Sequence, residues 1–301
     1  MEPEKLDIAL LGFGEAAGAF VSGWNTISNL SISAFDIKTD SHEKGEADGK
    51  WAAYEQANVS GCSTMEEALK NADVVFSLVT ADRAYFAAEQ AAKYLQKKTF
   101  FLDCNSCAPG TKKRSSKIIS DIGVRYVDVA VMAPVYPKLH RTPLLISGEF
   151  MAEAKTVFEC LQMDANIMEG GVGTSSSVKM IRSIMMKGLE ALFSECVLAG
   201  RRAGVDEKVI ASLEQTYPGF GFADKSAYMF ERMMEHGERR AAEMKEVVLT
   251  VAELGLPADM AEATVKWQQR IGELGKPAGE NEYGARADAL LEALGDIERN
   301  E

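Results

Sequence analysis

The stretch EGGVGTSSSVKMIRSIMMK, residues 169–187, decides how this chain is organised, because it places a glycine-rich turn directly before a long, mostly apolar helix. The glycines permit backbone conformations that other residues avoid, and residues 174–176 are of the types that cap a helix N-terminus. Beyond them the predicted helix keeps one polar stripe with a spacing of four residues. The stripe consists of Lys179, Ser183 and Lys187. A buried ammonium without partners is strongly disfavoured, so we expect this stripe to line a cleft.

Length and charge set the broad class of the protein. At 301 residues and 47% hydrophobic content, the chain is long enough for two domains. Its net charge of −12 argues against a nucleic-acid-binding surface, which needs clusters of Lys and Arg. The apolar run near the N-terminus is short and interrupted by glycines, unlike a signal peptide or a membrane span. We therefore expect a cytoplasmic protein that binds neither nucleic acid nor membranes.

The five cysteines are scattered through apolar segments, which favours reduced thiols over a disulfide framework. Cys104 and Cys107 form a CxxC pattern, whose functional interpretation is a redox pair or half of a zinc site. No second CxxC or His pair stands at ligand spacing in the sequence. We therefore favour an ordinary loop after a strand and expect no metal.

A strand, a glycine turn and a helix open the chain. The apolar run Leu6–Leu11 leads into the sequence GFGEAA and then into a helical pattern, which is typical of folds that bind dinucleotides. The glycines allow a tight turn and a close approach to a pyrophosphate, and the helix N-terminus supplies amides for its charge. The residues expected to contact the cofactor here are Gly12, Phe13, Gly14, Glu15, Ala16 and Ala17.

Asp36 follows the second predicted strand, at the distance from the glycine turn where a carboxylate accepts the ribose hydroxyls of NAD. The same carboxylate would repel the 2′-phosphate of NADP, so NAD is the expected cofactor. Lys38, two residues later, weakens that preference for NAD over NADP, so NADP remains an alternative cofactor. The alternative is that Asp36 is only a polar residue of a strand-end turn.

Strands and helices alternate after the glycine turn, a pattern typical of a doubly wound sheet. Further strands are expected at residues 73–79, 99–102, 124–131, 143–147 and 165–168. A polar, mobile loop is expected over residues 38–50 and a helix over residues 82–96. The expected fold class is therefore α/β, with a doubly wound Rossmann domain over residues 1–169 and an all-α domain over residues 170–301.

Residues that follow the predicted strands are candidates for ligand contact, because doubly wound sheets bind ligands beyond the strand carboxyl ends. The cofactor candidates are Val79, Thr80 and Asn105. The substrate candidates are Ser106 and the loop residues Met132, Ala133 and Pro134. In a second interpretation, Asn105 and Ser106 only satisfy the turn and cap the helix that begins near Pro109.

Beyond Lys187 the pattern is helical, with breaks at residues 218–221 and 255–257. Arg240 lies at helical spacing from Glu243. This spacing indicates either a solvated charged face or a cation that contributes to an anionic substrate site. Three methionines of this region are expected to fill a core, namely Met229, Met233 and Met234.

With these motifs assembled, the chain resembles the β-hydroxyacid dehydrogenase superfamily, which includes 3-hydroxyisobutyrate dehydrogenase and 6-phosphogluconate dehydrogenase. The resemblance covers nearly the whole length and rests on the glycine turn and on three further motifs. These are DCNSCAP at residues 103–109, YVDVAV at residues 126–131 and GGVGTSSSVK at residues 170–179. It implies that Lys179 is the catalytic acid/base beside a substrate hydroxyl, with Ser183 one turn later in the catalytic site. It also implies a homodimer in which Arg239 and Arg240 reach the partner's site.

Two departures from the superfamily bear on the substrate. Ser183 stands where asparagine is usual, and residues 132–134 align with a Ser-Gly-Gly whose amides bind a substrate carboxylate. Because proline has no amide hydrogen, a substrate charge would be met by Lys187 or Arg240, or the substrate lacks a carboxylate. The leading hypothesis is an NAD(P)-dependent dehydrogenase or reductase that acts on a small polar metabolite. An imine reductase and a non-catalytic NAD-binding sensor are the alternatives.

Overall fold

A computed structural model describes residues 5–298, with side chains up to residue 295. The chain divides into two compact units, the first ending at Met180 and the second beginning at Ile181. The predicted domain boundary after residue 169 stays a prediction. Residues 1–4 and 299–301 of the two predicted domains lie outside the described range. No helix of the described range is long and apolar enough to cross a membrane.

In the described part of the first unit, eight strands form one sheet. In chain order they are β1 (Leu6–Leu11), β2 (Leu30–Phe35), β3 (Ser60–Gly61), β4 (Val74–Ser77), β5 (Phe100–Asp103), β6 (Arg125–Val131), β7 (Leu144–Ser147) and β8 (Ala165–Ile167). Their spatial order is β3-β2-β1-β4-β5-β6-β7-β8, and all neighbours are parallel except β6 and β7. The first six strands follow the doubly wound order, which reverses between β1 and β4. The predicted α/β fold with an N-terminal Rossmann sheet is confirmed.

Helices connect these strands. They are α1 (Glu15–Trp24), α2 (Glu46–Gln56), α3 (Met65–Leu69), α4 (Ala84–Ala91), α5 (Pro109–Asp121) and α6 (Met151–Cys160). Local chemistry explains several of their starts. Thr64 accepts a hydrogen bond from the amide of Glu67, whose carboxylate accepts one from the amide of Ser63, as in a capping box. Pro109 occupies the first turn of α5, where no amide hydrogen is needed.

Three sequence-based boundaries are wrong. Residues 38–50 do not form a continuous loop, because a short 3-10 turn occupies Ile37–Asp40 and α2 begins at Glu46. The periodicity of α2 is hard to detect because Tyr54 is its one buried residue. The helix expected over residues 82–96 and the strand expected over residues 73–79 are both shorter in the structure, as α4 and β4.

The sheet is covered on both faces. Successive residues of a strand point to opposite faces, so Leu10 and Phe76 belong to one apolar cluster. Ala9 and Val75, their chain neighbours, belong to the other. Burial on both faces explains why the strands are nearly continuous apolar runs.

The described part of the second unit is built from the later part of α7 (Thr174–Arg202) and from four further helices. They are α8 (Asp206–Thr216), α9 (Phe222–Glu253), α10 (Asp259–Glu273) and α11 (Tyr283–Glu298). The predicted breaks before and after α9 are confirmed. So is the burial of the three methionines Met229, Met233 and Met234. Gly237 lets α9 approach α10 closely, since a Cβ there would lie 2.4 Å from the carbonyl oxygen of Gln268.

Candidate active site

The glycine turn lies where the strand order of the sheet reverses. Gly12 has a φ of +85°, and a Cβ at this position would lie 2.7 Å from the carbonyl oxygen of Leu78. At Gly14, by contrast, a Cβ would meet no described atom within 4 Å, and no side chain caps the N-terminus of α1. The fold therefore needs glycine at position 12, whereas Gly14 faces open space in front of the helix amides. A cofactor phosphate fits this cradle.

The other residues of the turn differ in exposure. Ala17 is fully buried against the apolar cluster that contains Leu10, as close packing of helix and strand requires. Glu15 is exposed and Ala16 is half-buried. Both residues therefore stand at the accessible start of α1, where backbone amides point outward.

Asp36 lies next to the turn, as expected. Its carboxylate accepts hydrogen bonds from the amide of Phe13 at 2.8 Å and from the amide of Lys38 at 3.0 Å. Lys50 of α2 lies against the same carboxylate, with 3.3 Å between Nζ and Oδ2. Asp36 therefore accepts a hydrogen bond within the turn that follows β2, and its carboxylate also contacts the glycine turn.

The segments after β4 and β5 contribute the next candidates. Val79 lies near Gly12, since its Cγ1 would be 3.1 Å from a Cβ there, and Thr80 is exposed. Asn105 is buried, and its Nδ2 donates to Ser77 Oγ at 2.9 Å and to Asp103 Oδ1 at 2.7 Å. Its Oδ1 has no hydrogen-bond partner among the described residues. An unpaired buried acceptor of this kind suits a ligand that donates a hydrogen bond.

Lys179 and Ser106 are brought together by the fold of the first unit. Lys179 Nζ donates a hydrogen bond to Ser106 Oγ at 2.6 Å, across 73 residues of chain. Both residues are half-buried. The structure thus places an amine and a hydroxyl beside Asn105, at the loop that follows β5.

A row of buried polar residues runs beneath this loop. Strand register places Ser77, Asp103, Asp128 and Ser147 side by side across β4 to β7, and all four are fully buried. Lys112 of α5 is also fully buried, with Nζ 2.9 Å from Asp103 Oδ1 and 3.4 Å from Asp128 Oδ1. The row therefore contains one cation shared between two carboxylates.

Burial and charge act against each other in this row. Burial alone would lower the pKa of Lys112, but the carboxylates of Asp103 and Asp128 outweigh it and raise that pKa above its usual value. Burial, and then the neighbouring Asp103, raises the pKa of Tyr126, whose hydroxyl donates to Asp103 Oδ2 at 2.6 Å. Lys112 therefore stays charged and Tyr126 stays neutral, which leaves Lys112 as the counterion of the two carboxylates.

Asp128 also holds the start of α7. Its carboxylate accepts hydrogen bonds from the amides of Gly173 at 3.0 Å and Ser176 at 3.1 Å, and from the Ser176 hydroxyl at 2.6 Å. The amide of Ser175 donates to Ser147 Oγ at 3.0 Å. The residues 174–176 were expected to cap this helix themselves. Instead, a carboxylate that is distant in the chain accepts hydrogen bonds from the amides at the helix start. It fixes the helix that carries Lys179.

In the second unit, Lys187 and Arg240 both have carboxylate partners. Lys187 Nζ lies 2.9 Å from Glu243 Oε2 and 3.3 Å from Ser183 Oγ. Arg240 Nε donates to Glu190 Oε2 at 2.8 Å. The side chains of Arg240 and Glu243 are only 11% and 16% exposed, so these two residues do not form a solvated charged face. Exposed Arg239 does form the expected bridge, with Nη1 2.5 Å from Glu243 Oε1.

The loop over residues 132–134 offers few amides. The amide of Met132 donates to the carbonyl of Pro143 at 2.9 Å, which continues the pairing of β6 with β7. Pro134 has no amide hydrogen, and it is exposed together with Ala133. The loop therefore lacks the run of amides that would bind a carboxylate.

The CxxC pattern lies in the interior of the first unit. Cys104 and Cys107 are both buried, and neither forms a disulfide. Burial raises the pKa of the Cys104 thiol to about 12, which disfavours the thiolate that a redox pair or a zinc site needs.

Sequence reasoning did not find the roles of Lys112, Asp128 and Lys50. Lys112 shares a helix face with Ser115 and Ile119, both fully buried, and that spacing was a usable signal. Asp128 lies within the YVDVAV motif, but its partners become known only with the strand register. Lys50 was assigned to a loop.

Comparison with known proteins identifies the family. A sequence model described as the NAD binding domain of 6-phosphogluconate dehydrogenase matches residues 7–173, and a domain of unknown function (DUF1932) matches residues 201–271. The chain belongs to the 6-phosphogluconate dehydrogenase NAD-binding family, within the β-hydroxyacid dehydrogenase superfamily. The predicted resemblance is thereby confirmed.

Comparison with individual proteins agrees with this placement. The crystal structure of a conserved hypothetical protein from Sinorhizobium meliloti 1021 is 31% identical, covers 96% of each chain and has a TM-score of 0.75. The mitochondrial 3-hydroxyisobutyrate dehydrogenase of Drosophila melanogaster is 28% identical over 65% of this chain and 61% of its own length. The Mycobacterium tuberculosis 3-hydroxyisobutyrate dehydrogenase with L-serine shares the fold, with a TM-score of 0.71 at 13% identity over 95% of this chain and 99% of its own. Superfamily membership and fold support an oxidoreductase with a nicotinamide cofactor.

Proposed function

We propose that this chain transfers a hydride between a nicotinamide cofactor and a hydroxyl or carbonyl carbon of a small polar metabolite, with Lys179 as the general acid/base. The observation that carries the proposal is the 2.6 Å hydrogen bond from Lys179 Nζ to Ser106 Oγ. It brings an amine to the loop beyond the carboxyl end of β5, next to Asn105. Ligands of doubly wound sheets bind at this edge.

Lys179 and Ser106 have different roles at the substrate oxygen: Lys179 transfers the proton and Ser106 orients the Lys179 amine. A bound nicotinamide supplies the hydride chemistry, by accepting a hydride from the carbinol carbon or returning it. The neutral amine of Lys179 takes the proton that leaves the substrate hydroxyl, and the ammonium returns that proton to a carbonyl oxygen. Ser106 orients the amine through its hydrogen bond, and buried Asp128 orients the helix on which the amine stands.

The described residues fit a dinucleotide. The open space in front of Gly14 and the uncapped amides of α1 suit a pyrophosphate. Asp36 stands where a ribose would be bound, and the unpartnered Asn105 Oδ1 suits a carboxamide donor. The residues proposed to hold the cofactor are Gly12, Phe13, Gly14, Glu15, Ala16, Ala17, Asp36, Val79, Thr80 and Asn105.

The absence of a carboxylate from the proposed substrate follows from the pairing of the candidate cations Lys187 and Arg240 within the chain. Lys187 forms an ion pair with Glu243, and Arg240 donates a hydrogen bond to Glu190. The amide of Met132 donates to the carbonyl of Pro143. A substrate carboxylate would have to displace one of these partners. We therefore propose a polar substrate without a carboxylate, with the hydroxyl of Ser106 as its contact beside Lys179.

Exposed apolar side chains of the second unit support the proposal of a homodimer. Ile181, Met185 and Leu192 of α7 are each about half exposed or more. Large apolar side chains at such density are typical of surfaces that pair with another chain.

A cofactor-coupled assay tests the proposed chemistry. Hydroxyacids, the corresponding amides and alcohols, their keto forms and imines are offered with NAD(H) and NADP(H). With the substrate so found, Lys179→Met should lower turnover by about 10²- to 10⁴-fold while NADH binding stays unchanged, because one general acid/base is removed. Lys117→Met, an exposed lysine of α5, is the matched control and should keep full turnover.

The possible outcomes separate the alternatives. Unchanged turnover in Lys179→Met would contradict the role of Lys179. Turnover of imines but of no alcohol or carbonyl would indicate an imine reductase. Cofactor binding without turnover of any compound would favour the non-catalytic sensor.

A further inference from the structure

The carboxylate of Asp36 is already occupied by three donors from its own chain. The amide of Phe13 donates to Oδ2 at 2.8 Å, the amide of Lys38 donates to Oδ1 at 3.0 Å, and Lys50 Nζ lies 3.3 Å from Oδ2. A carboxylate offers about four acceptor positions, so roughly one remains for a ribose hydroxyl. The acid beside the glycine turn is therefore not the open acceptor that the sequence indicated.

Two contacts hold the ammonium of Lys50 beside Asp36. It lies on α2, and its Nζ donates to the carbonyl oxygen of Phe13 at 2.5 Å as well as approaching Asp36. The side chains of Lys50 and Asp36 are only 14% and 13% exposed. Both the amide and the carbonyl of Phe13 are thus bonded within this cluster, which ties the glycine turn to the Asp36–Lys50 pair.

Lys38 is a contrasting neighbour. It is only two residues from Asp36, but its Nζ lies 2.7 Å from Glu46 Oε1 and its side chain is 55% exposed. Its ammonium is paired with the carboxylate of Glu46. Lys38 therefore contacts Asp36 through its backbone amide, whereas the ammonium that lies against the Asp36 carboxylate belongs to Lys50.

We propose that Lys50 determines the dinucleotide specificity of this protein, by neutralising Asp36 so that the site accepts both NAD(H) and NADP(H). An unpaired carboxylate at this position repels the 2′-phosphate of NADP. With the ammonium of Lys50 on the same oxygen, that repulsion is largely cancelled and a cation lies close to where the 2′-phosphate would be bound. The inference rests on the proposed function, since it concerns the same cofactor site.

Direct binding tests the proposal without any substrate. Isothermal titration calorimetry on the full chain, at fixed ionic strength, gives the Kd of NADH and of NADPH. We expect the two Kd values of the wild type to agree within about tenfold. Lys50→Met should raise the ratio of the NADPH Kd to the NADH Kd by about tenfold or more, because Asp36 is left unpaired. Asp36→Asn should move the ratio in the opposite direction.

Lys38→Met is the matched control, because it removes the same charge two residues from Asp36. Its ratio of the NADPH Kd to the NADH Kd should stay within about twofold of the wild type. Since the ratio compares two ligands on one protein, a general weakening of the glycine turn in Lys50→Met does not affect it. Wild-type discrimination of more than about 100-fold, or a ratio that Lys50→Met leaves unchanged, overturns the inference. If neither dinucleotide binds the wild type, the proposed function itself fails.

Discussion

At the residue scale, two glycines of the first turn of α1 have separable roles. Gly14 and Gly18 both have open space where a Cβ would stand, but only Gly14 faces the proposed pyrophosphate. Gly14→Ala should leave the free energy of unfolding within about 0.5 kcal/mol of the wild type. It should weaken NADH binding by about tenfold or more, because the methyl group fills the cradle.

Gly18→Ala is the control for that substitution. It should keep the NADH affinity and should stabilise the helix, by at most about 1 kcal/mol, since alanine is the better helix former. Calorimetric binding and urea unfolding of both variants measure the two effects. Equal NADH affinity in Gly14→Ala and wild type would contradict the placement of the pyrophosphate.

His140 predicts how stability depends on pH. It is buried, neither ring nitrogen has a hydrogen-bond partner among the described residues, and a Cβ at Gly23 would collide with its ring. Burial, and then the charge of Arg141, lowers the pKa of His140. The unfolded chain therefore binds this proton more readily than the folded one, so stability should fall as the pH falls through the unfolded pKa of about 6.5.

Urea-unfolding midpoints measured between about pH 7.5 and pH 5.5 test this dependence. His140→Gln removes the titrating group and should flatten the decline, even if it lowers stability at every pH. His42→Gln, a substitution at an exposed histidine, should keep the wild-type dependence. The same decline in His140→Gln as in the wild type would show that other groups cause it.

At the scale of elements, α5 supplies the cation that allows two buried acids to exist at adjacent strand ends. Lys112→Met would leave Asp103 and Asp128 fully buried without a counterion, and should cost about 3–5 kcal/mol of the free energy of unfolding. Lys117→Met on the same helix breaks an exposed pair with Asp121 and should cost less than about 0.5 kcal/mol. Denaturant unfolding of both variants measures the difference, and equal costs would contradict the role of Lys112.

Sequence patterns predict these elements better than they predict their partners. The strand at β1, the positive φ at Gly12 and the start of α7 follow from neighbouring residues alone. The cap of α7 does not, because its acceptor is Asp128, 48 residues before Ser176 in the chain. It reaches α7 only because β6 and β7 pair in the register that sets Asp128 opposite Ser147.

At the scale of the whole molecule, the exposed apolar side chains of the second unit predict self-association. Light scattering over a range of concentrations should give the mass of a dimer. Met185→Glu should shift the equilibrium toward monomer, because a carboxylate would be buried at the interface. Phe86→Glu, which changes an equally apolar and exposed residue of α4 in the first unit, should leave the dimer intact. A monomer at all working concentrations would refute the homodimer.

The sequence by itself determined the α/β class, the glycine turn, the position of Lys179 on a helix and the burial of the methionines. These features depend on local periodicity and on backbone conformations that few residues adopt. Only the tertiary structure decided that Lys179 meets Ser106, that Lys112 is shared by Asp103 and Asp128, and that the ammonium beside the Asp36 carboxylate is that of Lys50 rather than that of Lys38. The partner of a charged side chain depends on which strands are neighbours and in which register, and residues far apart in the chain set both.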